Sequence, residues 1–171
     1  MTCGDAPALR YPAMRKMILK DSALPAPPLP GGGLDVAALA TVLVSSEAGD
    51  HPVEHMFDGR PDTRWLAADA GEQTLILAFD VAQPLSRVAL TIEERRDTRV
   101  QELELAVSTD GGHAWRELVR QEFNFSPGGA TVEAEDWRLP PGLLATHLRL
   151  RIRPDKGGGA CRATVTSLAL S

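Results

Sequence analysis

Aromatic side chains make up only 5% of this 171-residue chain, with three Trp, four Phe and one Tyr. A core of ordinary size will claim most of them, leaving few rings for a surface site. There are two cysteines, Cys3 and Cys161. Two thiols so placed imply no disulfide framework, and both read as free thiols. No apolar run approaches the roughly eighteen residues of a membrane span. The first twenty residues carry Arg10, Arg15, Lys16 and Lys20 but no apolar h-region, so no secretory signal is read and a cytoplasmic location is expected. Clustered cationic charge is scarce too: the net charge is −5, which argues against nucleic acid as the main partner.

Catalytic signatures are also missing. The chain has no Gly-x-Ser-x-Gly elbow, no phosphate-cradling glycine loop and no His-Glu-x-x-His. His51-Pro52-Val53-Glu54-His55 has the letters of an inverted zinc-protease motif. Both rings would have to share one helical face, and Pro52 together with the turn at Asp58 argues against that helix. Glu93-Glu94 and Glu135-Asp136 are adjacent, so on a strand their side chains point to opposite faces. They read as solvated charges, and the chain is not expected to be an enzyme.

What is present is a long series of period-two segments. Residues 1–33 stand apart from them as an N-terminal tail and linker. Met14, Met17 and Ile18 have helical spacing within Tyr11–Lys20, and Leu24 to Gly33 is a Pro/Gly-rich stretch that reads as a spacer rather than a proline-rich ligand. From residue 34 onward, strands are predicted over 40–44, 74–79, 85–92, 100–107, 115–120, 131–139, 148–152 and 164–170. Most are separated by segments containing Gly, Pro or Asp. Many short strands with such punctuation indicate a sandwich or barrel rather than βαβ units. Arg149, Arg151 and Arg153 share one strand face, and Glu102 and Glu104 share another. Such stripes pair across neighbouring strands in ordinary sheets, so a partly paired surface is expected there.

Met56-Phe57-Asp58-Gly59-Arg60-Pro61-Asp62-Thr63-Arg64-Trp65 combines two turn signals with the start of a strand. With Val107-Ser108-Thr109-Asp110-Gly111-Gly112-His113-Ala114-Trp115 downstream, it resembles the discoidin family, also called the coagulation-factor type C or galactose-binding-like domain. The likeness covers about residues 35–171. It implies an all-β, eight-stranded jelly-roll sandwich, mostly antiparallel, over residues 34–171. It also implies a non-catalytic binding module, most often for carbohydrate, with a protein partner as the alternative.

By the same resemblance, ligand contacts come from loops 47–55, 93–99 and 123–130. His51, Glu94, Arg95, Arg96 and Asn124 are the candidate polar groups there. Phe123 is the candidate ring, with Phe125 beside it. Arg99 falls near a family arginine position or pairs with a neighbouring carboxylate. Trp65 and Trp115 are assigned to the core. The family's structural calcium would use Asp58, Asp62 and Thr63, but Thr166-Ser167-Leu168 lacks the usual last-strand carboxylate. Calcium wants six to eight oxygens, so that site is expected to be weak or absent and no other cofactor is expected. Finally, Arg64-Trp65-Leu66-Ala67-Ala68-Asp69-Ala70-Gly71-Glu72-Gln73-Thr74 is similar to a string in the amino-terminal domain of the eukaryotic single-strand-break repair scaffold, a protein-gripping jelly roll. That likeness supports a tight turn at Gly71 and keeps a protein partner open.

Overall fold

The computed structural model describes residues 13–19 and 34–171. Cys3 and the Pro/Gly-rich stretch 24–33 lie outside the described residues. Strand β1 (Arg15–Ile18) comes first, then a one-turn helix α1 (Val36–Leu39) whose Asp35 cap accepts a hydrogen bond from the Ala38 amide. β2 (Ala40–Val44) leads to a 3-10 turn at Val53–Met56, followed by β3 (Trp65–Ala70) and β4 (Gln73–Pro84). β5 (Arg87–Glu93), β6 (Arg99–Ser108), β7 (Arg116–Phe125) and β8 (Val132–Arg138) follow. β9 (Leu144–Arg153), β10 (Arg162–Val165) and β11 (Ser167–Leu170) complete the order.

Six strands form one sheet in the order β1-β2-β4-β9-β6-β7. The other layer consists of a three-stranded sheet, β11-β5-β8, and a two-stranded one, β10-β3. Every pairing is antiparallel except β1 with β2. The all-β sandwich expected from the alternation is what forms. The count of described strands is eleven rather than eight, for three reasons. β1 adds a strand, β3 pairs with β10, and the predicted 164–170 strand splits at Thr166 because its two halves pair with different partners, β3 and β5.

Residues 15–18 are the clearest departure from expectation. The spacing of Met14, Met17 and Ile18 predicted a helix, yet Arg15 to Ile18 run parallel to Thr41 to Val44. Side chains fasten the strand: Met14 packs on the core, Arg15 pairs with Asp80, and the Lys16 ammonium bridges Glu47 at 2.7 Å and Glu54 at 2.8 Å. A four-residue stretch cannot separate period two from period 3.6, and pairing with an open sheet edge decided it.

The core follows the alternation. Val42 and Val44, Leu75 and Leu77, Leu103 and Leu105, and Leu148 and Leu150 point inward from the large sheet. Val88, Leu90, Ile92 and Trp65 meet them from the other layer. Burying such side chains stabilises the fold by about 1.5–3 kcal/mol each. The Trp65 indole donates to the Ser46 carbonyl at 3.1 Å, so its one polar atom is satisfied inside. Gly71, at φ 86°, makes the expected turn between β3 and β4. On the outer face of the large sheet, Glu104 meets Arg149 at 2.8 Å, Arg120 at 2.8 Å and Arg151 at 3.7 Å. The arginine stripe is therefore largely neutralised by its neighbours, as the sequence pattern indicated.

Candidate functional site

At the end of the sandwich where β5 stops and β6 starts, three connections converge: residues 48–64, residues 94–98 and the β10–β11 junction. They enclose a depression of about 320 Å³ lined by His51, Pro61, Asp62, Thr63, Arg64, Glu93, Arg95, Arg96 and Thr166. Each side chain arrives for a local reason. Trp65 points into the core, so Arg64, the residue before it, turns outward. Thr166 sits where the chain passes from β10 to β11, and its hydroxyl accepts from the Glu93 amide at 3.2 Å. His51 is held by a short bridge in which its amide donates to the Ala48 carbonyl and its own carbonyl accepts from Leu66.

The 94–98 loop is shaped from beneath by Glu94, which is only 8% exposed. One of its oxygens accepts from the amides of Arg96 at 2.7 Å and Asp97 at 3.1 Å, and the other meets the Arg99 guanidinium at 3.1 Å. Arg99, with a side chain 1% exposed, also donates to the Arg162 carbonyl at 2.9 Å and to Gln101. Both residues are therefore supports inside the domain rather than groups facing the depression. On top of that support Arg95 pairs with Glu93. The side chains of Arg64 and Arg96 make no hydrogen bond or ion pair among the described residues.

Of the residues expected in the site, the fold brings His51, Arg95 and Arg96 together and leaves three outside. Phe123 lies near the end of β7, not in a loop, and is 3% exposed in the core beside Phe125. Asn124, next to it, faces outward from the large sheet opposite Val100. Glu94 lies below the floor. Arg64, Thr166 and Pro61 were missed. The period-two rule could have found Arg64, because it precedes an inward-facing Trp. Thr166 depended on a change of strand partner that no local pattern signals.

At the Asp58 turn the carboxylates are engaged by their own neighbours. The Thr63 hydroxyl donates to the Asp58 carboxylate at 2.8 Å and 2.9 Å, and the Arg60 amide donates to it at 2.9 Å. The Arg60 guanidinium clasps Asp62 at 2.8 Å and holds its carboxyl below the usual range. Among the described residues no group of three or more His, Cys, Asp or Glu could hold a metal ion. His51 and His55 meet edge-on at 6.4 Å, and a 3-10 turn replaces the helix a zinc motif needs. Cys161 is a free thiol.

Larger depressions lie elsewhere among the described residues. One of about 590 Å³, mostly apolar, lies among Met14, Val36, Phe57 and Leu170, next to the ends of the described segments. Another, of about 570 Å³, lies at the opposite end of the sandwich around Trp115. Trp115 was expected in the core; it is half-buried at the rim of that hollow instead.

The F5/8 type C domain model matches residues 41–165. The chain belongs to that family. No match was found among curated proteins. Several solved structures share the fold. A carbohydrate-binding module from a family 31 glycoside hydrolase of Clostridium perfringens is 20% identical with a TM-score of 0.60, over 81% of this chain and 93% of that one. A pectin-binding module is 19% identical with a TM-score of 0.58, over 78% of this chain and 90% of that one. A family 32 module from C. perfringens, solved with galactose, is 18% identical with a TM-score of 0.55, over 77% of this chain and 92% of that one. At these identities the likeness establishes the fold. Among the described residues of this F5/8 type C domain, no helix is long and apolar enough to cross a membrane.

Proposed function

We propose that this F5/8 type C domain is a non-catalytic carbohydrate-binding module that holds its ligand in the loop-end depression. The observation that carries the reading is the convergence of two guanidinium groups without partners among the described residues, Arg64 and Arg96, with His51 and the Thr166 hydroxyl in a sugar-sized hollow. A guanidinium offers paired donors that can hold two adjacent hydroxyls, or a carboxylate, at once. The Glu94–Arg99 support fixes the loop before ligand arrives, which lowers the ordering cost of binding. The galactose and pectin modules with the same fold support the ligand class.

One observation favours a protein partner on the same surface: among the described residues no Trp, Tyr or Phe lines the depression. A glycan array run beside a pull-down separates the two readings. We expect the array to find a ligand. Arg64→Ala and Arg96→Ala should each weaken that ligand at least tenfold, the size expected for losing one charged hydrogen-bonding group. Neither should change the thermal midpoint. An empty array, with a recovered protein whose capture Arg96→Ala abolishes, would replace the sugar by a protein.

A further inference from the structure

The aromatic residues are almost all spent on the core. Among the described residues, Trp65, Phe79, Phe123 and Phe125 are buried, and Phe57 and Trp137 pack against the same cluster. Trp115 stands outside it, half-buried, in the hollow at the end opposite the loops. Strands of ten residues such as β6 and β9 place the two ends roughly 30 Å apart.

The ring is held in place. The Arg149 guanidinium lies 4.5 Å from its centroid, and Arg149 is itself anchored by Glu104 at 2.8 Å. His147 meets the ring edge-on at 6.1 Å. The turn leading to it is equally fixed: the Asp110 carboxylate accepts from the Ala114 amide at 2.9 Å and the Ser108 hydroxyl at 2.7 Å, and Gly111 donates to Thr146 at 2.9 Å. Opposite lie Pro140, Pro141 and Leu144, the last 52% exposed. The side chain of Arg116, exposed on the rim, makes no hydrogen bond or ion pair among the described residues. It also lines an adjoining groove of about 500 Å³ that contains Arg138, which forms no salt bridge there.

A ring that is fixed, concave-set and outside the core cluster suits the apolar face of a pyranose. The hollow carries two charged side chains, Asp110, which is taken up by its own turn, and Arg116, whose side chain has no salt bridge among the described residues. Arg116 complements a negative substituent on that sugar, and Arg138 lies beyond it in the adjoining groove, which Glu117 also lines. We propose that this hollow is a second glycan site, taking a uronic-acid chain with one pyranose ring against Trp115 and its carboxylate at Arg116. The proposal rests on the carbohydrate reading above but on different residues.

The test uses the full chain with polygalacturonate, and a neutral galactan as control, followed by calorimetry and affinity electrophoresis. Polygalacturonate should bind at least tenfold more tightly than galactan, with affinity falling as salt rises. Trp115→Ala and Arg116→Gln should each cost at least tenfold, and Trp115→Phe should restore most of the first loss. If Trp115→Ala disturbs folding, Arg116→Gln decides, because the Arg116 side chain is exposed and has no partner among the described residues. Trp115-dependent binding should survive in an Arg64→Ala/Arg96→Ala double variant. Equal binding of the two polymers, or no binding of the acidic one, would overturn the proposal. So would unchanged affinity in both Trp115→Ala and Arg116→Gln. If Arg96→Ala alone abolished binding, the loop-end reading would stand without this one. If Trp115→Ala alone abolished it, the reverse would hold.

Discussion

Arg99 and Glu94 lie five residues apart, one at the start of a strand and the other in the loop before it. Together they decide the shape of the loop end. Neither is exposed, and each satisfies backbone groups as well as its partner. Truncating one partner of a buried, hydrogen-bonded ion pair strands the other charge. Arg99→Ala is therefore expected to lower stability by about 3–5 kcal/mol, measured by denaturant unfolding. A loss below about 1 kcal/mol would show that water replaces the guanidinium. At this scale the sequence was only partly legible. Trp65 and Trp115 both follow Asp-Gly turns and look alike locally, yet the second layer covers the first and leaves the second at a rim. Phe123 looked like a loop residue because a Phe-Asn-Phe run before Ser-Pro-Gly-Gly reads as a turn approach. The edge strand β7 continues through it and turns it inward.

Among elements, β2, β5, β6 and β8 were legible to within about two residues, because their alternation is long enough to fix a period. β10 and β11 fall within one predicted strand, since changing partner at Thr166 leaves no mark on hydrophobicity. β1 was missed because its four residues contain no period that could be measured. Its contacts give it weight all the same: it covers the β2 edge, buries Met14 in part, and places Lys16 between two carboxylates. Deleting residues 1–19 should lower the thermal midpoint by several degrees, the shift that 1–2 kcal/mol produces in a domain of this size. An unchanged midpoint would show β1 to be dispensable. The outer sheet face carries a second expectation. Burial opposes ionisation of Glu104, but Arg149, Arg151 and Arg120 outweigh it and hold the carboxyl below the ordinary range. A carboxyl depressed in the folded state stabilises above its unfolded pKa of about 4.3 and loses that contribution as pH falls through the folded value. Glu104→Gln should therefore lower stability at neutral pH and narrow its gap to the wild-type protein as the solution is acidified toward pH 3. A gap independent of pH would mean that packing, not charge, explains the loss.

For the whole molecule, the sandwich was readable because many short alternating strands with turn punctuation admit few other folds. The candidate site was readable only in part. Which loops converge depends on where strands stop in three dimensions, so the sequence pattern points to His51, Arg95 and Arg96 but not to Arg64 and Thr166, which line the same depression. The same geometry separates three surfaces: a neutralised charged sheet, a polar loop end and a far end with one placed ring. The central claim is that the loop end binds glycan. Its most direct test is amide chemical-shift mapping during titration with the saccharide the array selects. Shifts are expected to cluster at residues 51, 61–64, 93–96 and 166, with the sheet face of Arg149, Arg151 and Arg153 unmoved. Shifts centred on that sheet face, with the loop end silent at saturation, would contradict the claim.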